Sequence, residues 1–259
     1  MTQPARVDVR RVTKFRDASH VGVTAITFRI DPGEVYGLLG GAGAGKSILV
    51  RILFGLAVAD EGEVTINGWN VRTDPLLCRR AMTLITGDGT LFGAMTVQQN
   101  LAFVTRVASP AKRSTRTDRR TVLRLMGMPD RLLDTRVKFL PRELVVTLWL
   151  AVAWLRETPV LVLDAPERGL DTKAVARLQT TLDMFRARGT AVLLATADLL
   201  FASQAADRLG IVKQGRLVAE YTRGELLSRS LTELYADYVG RVSSRASLDH
   251  LRLPRQLTQ

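Results

Sequence analysis

The stretch Gly40–Ser47, which reads GGAGAGKS, decides the fold of this chain. A β-prone run, Glu34–Leu39, precedes it, and the following segment, Lys46–Leu56, has the apolar spacing of a helix. Small residues between a strand and a helix let successive backbone N–H groups turn inward around phosphate oxygens. The order strand, loop and helix therefore predicts a phosphate-binding loop.

Lys46, Ser47 and a distant aspartate add chemistry to this loop. The positive end of the helix dipole and the Lys46 ammonium favour the β and γ phosphates of a nucleotide, and the Ser47 hydroxyl suits Mg²⁺. A carboxylate for the metal should end a buried strand, and Asp164 follows the apolar run Val160–Leu163. We therefore predict that Ser47 and Asp164 bind the metal. The residues predicted to bind the nucleotide are Gly40, Gly41, Ala42, Gly43, Ala44, Gly45, Lys46, Ser47 and Ile48.

Length and composition limit the classes of protein to consider. The 259 residues allow one large α/β domain or two small ones. Cys78 is the single cysteine, which excludes an internal disulfide, and no signal-peptide pattern opens the chain, so we expect a cytosolic protein. The longest apolar run, Leu144–Leu155, is shorter than the roughly 18 residues of a membrane-spanning helix. Any membrane role is expected to act through a partner.

Positive charge is the main compositional bias. The 37 basic and 25 acidic residues give a net charge of +12, and six basic side chains lie within Lys112–Arg124 against one acid, Asp118. Such an excess favours nucleic acid or an anionic membrane surface. The alternative, which we favour, is a solvated helix face in an arginine-rich protein.

The remaining patterns outline one α/β domain. Val7–Val12 and Thr24–Ile30 alternate with a two-residue period and predict antiparallel strands, and Asn67-Gly68 predicts a tight hairpin. The region from Thr96 to about Thr158 is helix-patterned, which predicts a helical subdomain inserted between sheet elements. Parallel-sheet and hairpin character then returns in Val160–Leu163, a helix from about Thr172 to Arg188, Ala191–Leu194 and the hairpin Gly210–Tyr221.

Together with Gly169, Leu170 and Asp171, which follow Asp164, these elements resemble the ATP-binding cassette (ABC) family, the nucleotide-binding subunits of ABC transporters. The resemblance implies an α/β fold, the ABC-type ATPase form of the P-loop NTPase fold, with an antiparallel β-subdomain and the inserted helical subdomain at about 96–158. It implies ATP and Mg²⁺ as ligands. Residues 1–240 would form the single ABC ATPase domain and 241–259 a basic tail. Phe15 resembles the family's aromatic position that stacks on the nucleotide; a core phenylalanine is the alternative.

One departure from the family lies in its signature motif, usually L-S-G-G-Q. Family members form head-to-tail dimers in which this motif contacts the ATP held by the other subunit's phosphate loop. The family's register, 24 residues before Asp164, places the segment Leu140–Leu144 here, without the serine and both glycines. Glu143 would put a negative charge near the phosphate oxygens. The signature-equivalent residues are Leu140, Pro141, Arg142, Glu143 and Leu144.

The other departures remove catalytic groups. Ala165 stands where the family carries the glutamate that orients the attacking water, and Ala197 stands at the switch histidine. The glutamine that senses the metal is replaced by Gly87 in the register we assign. Losing a positioned base costs about 10²- to 10⁴-fold in rate. No catalytic residue of the family's pattern is intact, although Glu167, two residues past Ala165, is an alternative carboxylate for the water.

These features lead to a functional hypothesis. The chain is expected to bind Mg-ATP with weak or absent hydrolysis, as a cytoplasmic subunit peripheral to the inner face of the cell membrane. The partners implied are a membrane-spanning transporter subunit and a second ABC ATPase subunit in a heterodimer, with a homodimer as the alternative. The segment Leu231–Gly240 resembles the terminal helix of cassettes that serve drug and polysaccharide exporters.

Three rival hypotheses remain open at this point. The first is a non-transport cassette that acts on ribosomes or DNA, although we do not expect nucleic acid as a partner. The second is an active but divergent ATPase, powering export, that uses Glu167 or Asp171. Alternatively, Asp171 caps the helix that begins at Thr172 or, as the resemblance implies, crosses the dimer interface. The third is a vestigial protein whose loop persists for stability alone.

Overall fold

The computed structural model describes residues 6–15, 21–86, 91–108, 116–230, 233–234 and 238. The strands of these residues are β1 (Val7–Phe15), β2 (Val21–Ile30), β3 (Val35–Leu39), β4 (Glu61–Ile66), β5 (Trp69–Asn70), β6 (Met82–Thr86), β7 (Val160–Asp164), β8 (Ala191–Thr196), β9 (Arg208–Lys213) and β10 (Arg216–Thr222). The helices are α1 (Lys46–Leu53), α2 (Pro75–Ala81), α3 (Val97–Ala108), α4 (Arg116–Leu125), α5 (Arg142–Leu155), α6 (Thr172–Ala187), α7 (Leu199–Ala205) and α8 (Arg223–Ser228).

The strands form two sheets. The larger has the order β10-β9-β3-β8-β7-β6, in which β9, β3, β8, β7 and β6 run parallel and β10 is antiparallel at the edge. The smaller sheet, β2-β1-β4-β5, is antiparallel throughout. The predicted antiparallel strands at the start of the chain are therefore confirmed, as is the α/β class.

Asn67 and Gly68 form the predicted tight turn between β4 and β5. Their φ angles are 51° and 87°, and positive φ at both central positions is the requirement of a type I′ hairpin. This turn aligns the short β5 with the end of β4, so that Ile66 pairs with Trp69.

Alternation along the central strands divides the core into two layers. In β7, Val160 and Val162 pack with α1 and the smaller sheet, whereas Leu161 and Leu163 pack with the helices on the other side. Successive side chains of a strand point to opposite faces of a sheet, and both faces are covered here, so the strands read as unbroken apolar runs. The phosphate-binding loop lies at the edge where these parallel strands end.

The helical subdomain lies between β6 and β7 in the chain, as the sequence predicts. It contains α3, α4 and α5, and two short 3₁₀ turns, Asp130–Leu132 and Val137–Phe139, lead into α5. Helix α5 is apolar on nearly all sides, and seven of its fourteen side chains are buried in the core. Burial therefore accounts for the apolar run that the sequence shows there.

Some predicted boundaries change. Helix α1 ends at Leu53 rather than Leu56, because the chain turns at Gly55, whose φ is 61°. The helix predicted over Leu231–Val239 falls largely outside the described residues. None of the helices in the described part of the chain has the length and apolar composition needed to cross a bilayer.

Candidate nucleotide-binding site

The phosphate-binding loop joins the end of β3 to the start of α1. Gly40 donates its backbone N–H to the carbonyl of Thr196 over 3.1 Å, which fastens the start of the loop to the end of β8. At the other end α1 begins at Lys46, and its N-cap residue, Gly45, makes no side-chain cap bond. The first N–H groups of α1 therefore remain available to an anion at the positive end of the helix.

Two glycines of the loop are required by geometry. Gly43 has φ of 74° with no atom within 4 Å of where a Cβ would stand, so the requirement is conformational. Gly45 has φ of 109°, and a Cβ there would lie 2.7 Å from a Val23 methyl and 2.8 Å from the Gly22 carbonyl oxygen. The spacing of glycines in the sequence thus reflects one strained turn and one close backbone approach.

Lys46 bridges the loop. Its ammonium donates to the carbonyl oxygens of Gly40, at 2.5 Å, and Gly41, at 3.1 Å. Burial lowers the pKa of Lys46, while attraction to Asp164 and Glu167 opposes that shift. A triphosphate in the loop would give this ammonium charged oxygen partners in place of two neutral carbonyls, and such bonds are about twice as strong.

Ser47 and Asp164, the two predicted metal ligands, are in direct contact. The Ser47 hydroxyl donates to a carboxylate oxygen of Asp164 over 3.2 Å, across 117 positions of sequence. A hydroxyl and a carboxylate are hard oxygen ligands, and Mg²⁺ takes one or two such groups besides phosphate and water oxygens. The donor set therefore fits Mg²⁺ bound with a nucleotide.

Ala165 and Glu167 lie directly beyond Asp164, the predicted metal ligand. Ala165 has φ of 50°, a left-handed conformation uncommon outside glycine, and it turns the chain sharply after β7. Glu167 then returns to the strand ends, where the Thr196 hydroxyl donates a hydrogen bond to its carboxylate. The Thr196 hydroxyl in turn accepts the backbone N–H of Asp198 over 2.9 Å. One side-chain hydroxyl thereby links the segment after β7 to the turn after β8.

The Glu167 carboxyl group is partly buried. Burial raises the pKa of Glu167, and the hydrogen bond from Thr196 opposes the rise. Asp198 raises this pKa further and Lys46 lowers it. The second carboxylate oxygen, Oε2, is closed to solvent and has no hydrogen-bond partner among the described residues. Among the described residues, Thr196 therefore donates to Oε1, and no hydrogen bond reaches Oε2.

Ala197 lies in the exposed turn between β8 and α7. Its neighbour Asp198 caps α7 by accepting the Phe201 N–H over 2.9 Å. The turn is thus held by its flanking residues, and Ala197 itself presents a methyl group that neither donates nor accepts a hydrogen bond.

The signature-equivalent residues, Leu140–Leu144, lie where the second 3₁₀ turn leads into α5. Arg142 donates its Nε–H to the carbonyl of Arg168, which ties the start of α5 to the segment after β7. Glu143 accepts from Arg177 of α6, with 3.1 Å between Oε2 and Nη2. The charge of Glu143 is therefore paired with an arginine of the same chain, a contact that the sequence alone does not predict.

The triplet Gly169–Asp171 leads from the segment after β7 into α6. Asp171 is the N-cap of α6, since its Oδ1 accepts the Ala174 N–H over 2.7 Å. The helix begins at Thr172, as the capping alternative predicted. Leu170 is partly buried and packs against the core that contains α5 and α6.

Phe15 lies at the end of β1, paired with Val21 of β2. Its side chain is 48% exposed, so the core alternative is wrong for this residue. Next to Val21, the position of a Cβ on Gly22 would lie 2.7 Å from the Ile48 Cδ1, which places the start of β2 against the start of α1. Phe15 is thus exposed and paired with the strand residue that precedes this contact. Gly87, assigned to the glutamine position, lies outside the described residues.

Two residues of this site, Thr196 and Arg177, were not predicted. Thr196 ends an apolar strand beside β3, and a polar residue at that point is a signal the sequence offers. Arg177 offers no comparable signal, because its pairing with Glu143 depends on how α5 packs against α6.

Comparison with known proteins agrees with this geometry. The model of the family described as "ABC transporter" matches residues 23–168, more than half of the chain. The chain therefore belongs to the ABC transporter family, and its fold is that of the family's ATP-binding cassettes. ABC ATPases bind ATP, normally with Mg²⁺.

Particular relatives can be named. The chain is 31% identical over 198 residues to the Nod factor export ATP-binding protein I of Rhizobium etli, covering 76% of this chain and 62% of that protein. It resembles a structure described as the ATP-binding subunit of an ABC transporter, with 25% identity, 90% and 99% of the two chains covered and a TM-score of 0.77. A dimeric post-hydrolysis structure of the cassette MJ0796 with ADP and Pi shares the fold at 20% identity, with 84% and 98% coverage and a TM-score of 0.73.

Proposed function

We propose that the chain is the ATP-binding subunit of an ABC transporter that binds Mg-ATP and has weak or absent hydrolysis of its own. The observation that carries this proposal is the contrast along one sheet edge. Ser47 and Asp164 meet at 3.2 Å beside a complete phosphate-binding loop, whereas the next residue, Ala165, offers only a methyl group. Binding groups are present, and the groups that direct water in the family are replaced.

Each binding residue has a physical role in this proposal. The Lys46 ammonium exchanges loop carbonyls for phosphate oxygens, Ser47 and Asp164 hold Mg²⁺, and the N–H groups at the start of α1 face the phosphates. Phe15 stacks on the base. Gly40, Gly41, Ala42, Gly43, Ala44, Gly45 and Ile48 complete the predicted nucleotide site.

The partner is a second, different ABC ATPase subunit. MJ0796 forms a dimer, and a dimer is the arrangement in which a signature motif reaches the other subunit's nucleotide. A homodimer of this chain would contain Leu140–Leu144 at both sites, with no serine or glycine in either. A heterodimer supplies a signature and catalytic groups from the partner, so that one site holds ATP and the other performs the chemistry.

The complex also includes a membrane-spanning subunit, so this subunit lies on the cytoplasmic face of the cell membrane. The name of the Rhizobium etli relative, a Nod factor export protein, supports an exporter. The chain spans 62% of that relative's length, so the proposal does not extend to the substrate that the relative exports.

Nucleotide titration of the purified chain tests binding. Mg-ATP should raise the melting temperature, because ligand at a concentration 100 times Kd adds about 2.7 kcal/mol to the free energy of unfolding. Lys46→Ala should lose the shift, and Lys173→Ala, an exposed lysine distant in sequence from the loop, should keep it. Brisk phosphate release that Lys46→Ala abolishes would contradict the weak hydrolysis proposed.

Isolation of the native complex tests the partner. A membrane subunit and a second ABC ATPase should copurify with a tagged chain, in equal amounts by quantitative mass spectrometry. A complex with two copies of this chain and no second cassette would contradict the heterodimer.

A further inference from the structure

Glu167 occupies the junction of three elements of the nucleotide site. Its carboxylate accepts the hydroxyl hydrogen of Thr196, whose backbone carbonyl accepts the N–H of Gly40 over 3.1 Å. The Gly40 carbonyl in turn accepts from the Lys46 ammonium over 2.5 Å. Glu167 is therefore linked to the phosphate-binding loop through one residue, Thr196 at the end of β8.

The strand register explains this placement. Thr196 pairs with Leu39, the last residue before the loop, and its neighbour Ala195 pairs with Asp164. The parallel strands β3, β8 and β7 thus end at one edge, with the loop on one side of Thr196 and the metal-binding aspartate on the other. The left-handed turn at Ala165 brings Glu167 back to that edge.

The hydrogen-bonding state of the carboxylate indicates what it lacks. Oε1 is held by Thr196, whereas Oε2 is buried and has no partner among the described residues. A buried carboxylate oxygen without a donor costs free energy, and a water molecule is the donor that commonly fills such a position in proteins. Thr196, at the end of β8, therefore fixes Oε1, and Oε2 receives no hydrogen bond from the described residues.

We propose that Glu167 receives the proton of the attacking water in the hydrolysis that the chain retains, in place of the carboxylate absent at Ala165. This inference rests on the proposed function, because it requires Mg-ATP in the loop. The water oxygen forms a bond to the terminal phosphorus, and the bond from that phosphorus to the bridging oxygen breaks. ADP keeps the electron pair of the broken bond, and the water proton passes to the Glu167 carboxylate.

Thr196 is the positioning residue in this arrangement. Its hydroxyl fixes Oε1 while its own oxygen accepts the Asp198 N–H over 2.9 Å, so its orientation is determined at both ends. Thr196→Val keeps the shape of this fully buried side chain and removes both bonds. The carboxylate would then be present but loosely held, and the rate should fall less than on neutralising Glu167.

The test is single-turnover phosphate release from the purified full chain with saturating Mg-ATP, followed over hours. Glu167→Gln should lower release by about 10²-fold, the lower end of what a positioned base supplies. Its Mg-ATP affinity should be retained or increased, because a negative charge near the phosphates is removed. Glu61→Gln, an exposed glutamate on β4, is the matched control and should release phosphate at the wild-type rate.

Two further measurements separate a proton-accepting role from a structural one. Wild-type release should rise with pH as Glu167 ionises, and Glu167→Gln release should be flat over the same range. Adding Ala165→Glu to Glu167→Gln should restore release, since it returns a carboxylate to the strand end.

The outcomes are distinguishable. Two results overturn the role of Glu167: a rate of phosphate release in the wild type no higher than in Lys46→Ala, or a rate in Glu167→Gln within twofold of the wild type. In both cases Mg-ATP would still raise the melting temperature, so the proposed function would stand. A wild-type melting temperature that Mg-ATP does not change overturns the proposed function itself, and this inference with it.

Discussion

Arg177 of α6 donates to Glu143 of α5 over 3.1 Å, which joins the signature-equivalent segment to the helix that follows β7. The sequence predicts that Glu143 puts a negative charge near the phosphate oxygens, whereas in the fold this charge is paired with Arg177 of the same chain. The segment Leu140–Leu144 is therefore held against α6 by this ion pair, and against the segment after β7 by the hydrogen bond from Arg142 to the Arg168 carbonyl.

The strength of the Glu143–Arg177 pair can be measured by a double-mutant cycle. Both side chains are partly exposed, at 31% and 56%, so we expect a coupling free energy of about 0.2–1 kcal/mol. Urea unfolding of Glu143→Gln, Arg177→Gln and the double variant gives this value. A coupling above about 2 kcal/mol would show that the pair fixes the position of α5 more firmly than an exposed ion pair can.

Asp171→Ala should destabilise the nucleotide-free chain by about 0.5–2 kcal/mol, because α6 loses its N-cap. Asp171→Asn keeps an oxygen acceptor for the Ala174 N–H and should cost only a few tenths of a kcal/mol. Urea unfolding compares the two variants. Equal losses would mean that the charge of Asp171, rather than its cap, provides the stability.

Glu167→Gln should raise the melting temperature of the nucleotide-free chain at neutral pH. Burial raises the pKa of Glu167 in the folded state, so the folded chain is penalised when this group ionises. The wild type therefore loses stability as pH rises from the pKa of an unfolded glutamate to the raised folded value, whereas the glutamine variant does not. The charged groups that face Glu167 are Lys46 and Asp198.

Melting curves between about pH 4 and pH 8 check this prediction. The difference between the variant and the wild type should be smallest at the acidic end, grow with pH, and level off above the folded pKa. A variant less stable than wild type at neutral pH would show that attraction to Lys46 outweighs the cost of burial.

Phe15→Ala should weaken Mg-ATP binding about tenfold, since stacking on a base contributes about 1–3 kcal/mol. Inorganic triphosphate has no base, so its affinity should not change in the variant. Trp69→Ala, which removes another exposed aromatic ring, is the control. Isothermal titration gives these affinities, and an equal loss for both ligands would assign Phe15 to the shape of the loop instead of to base stacking.

Local chemistry in the sequence determined much of this protein. Glycine spacing between a strand pattern and a helix pattern predicted the phosphate-binding loop; in the fold, the positive φ of Gly43 favours glycine and the close backbone approach at Gly45 leaves no room for a Cβ. An apolar run ending in Asp164 predicted a metal ligand at that position, and Asn67-Gly68 predicted the tight turn between β4 and β5. Each of these signals lies within a few neighbouring residues, where backbone conformation and periodicity act directly.

Only the tertiary structure decided which distant groups meet. Nothing in the sequence places Arg177 beside Glu143, or the Thr196 hydroxyl on Glu167, because these contacts depend on the packing of α5 against α6 and on the register of β8 between β3 and β7. Pairing and burial set the charge state of a carboxylate, and both arise from elements far apart in the chain. The sequence therefore showed that Ala165 lacks a carboxylate, and the fold showed where the next carboxylate lies.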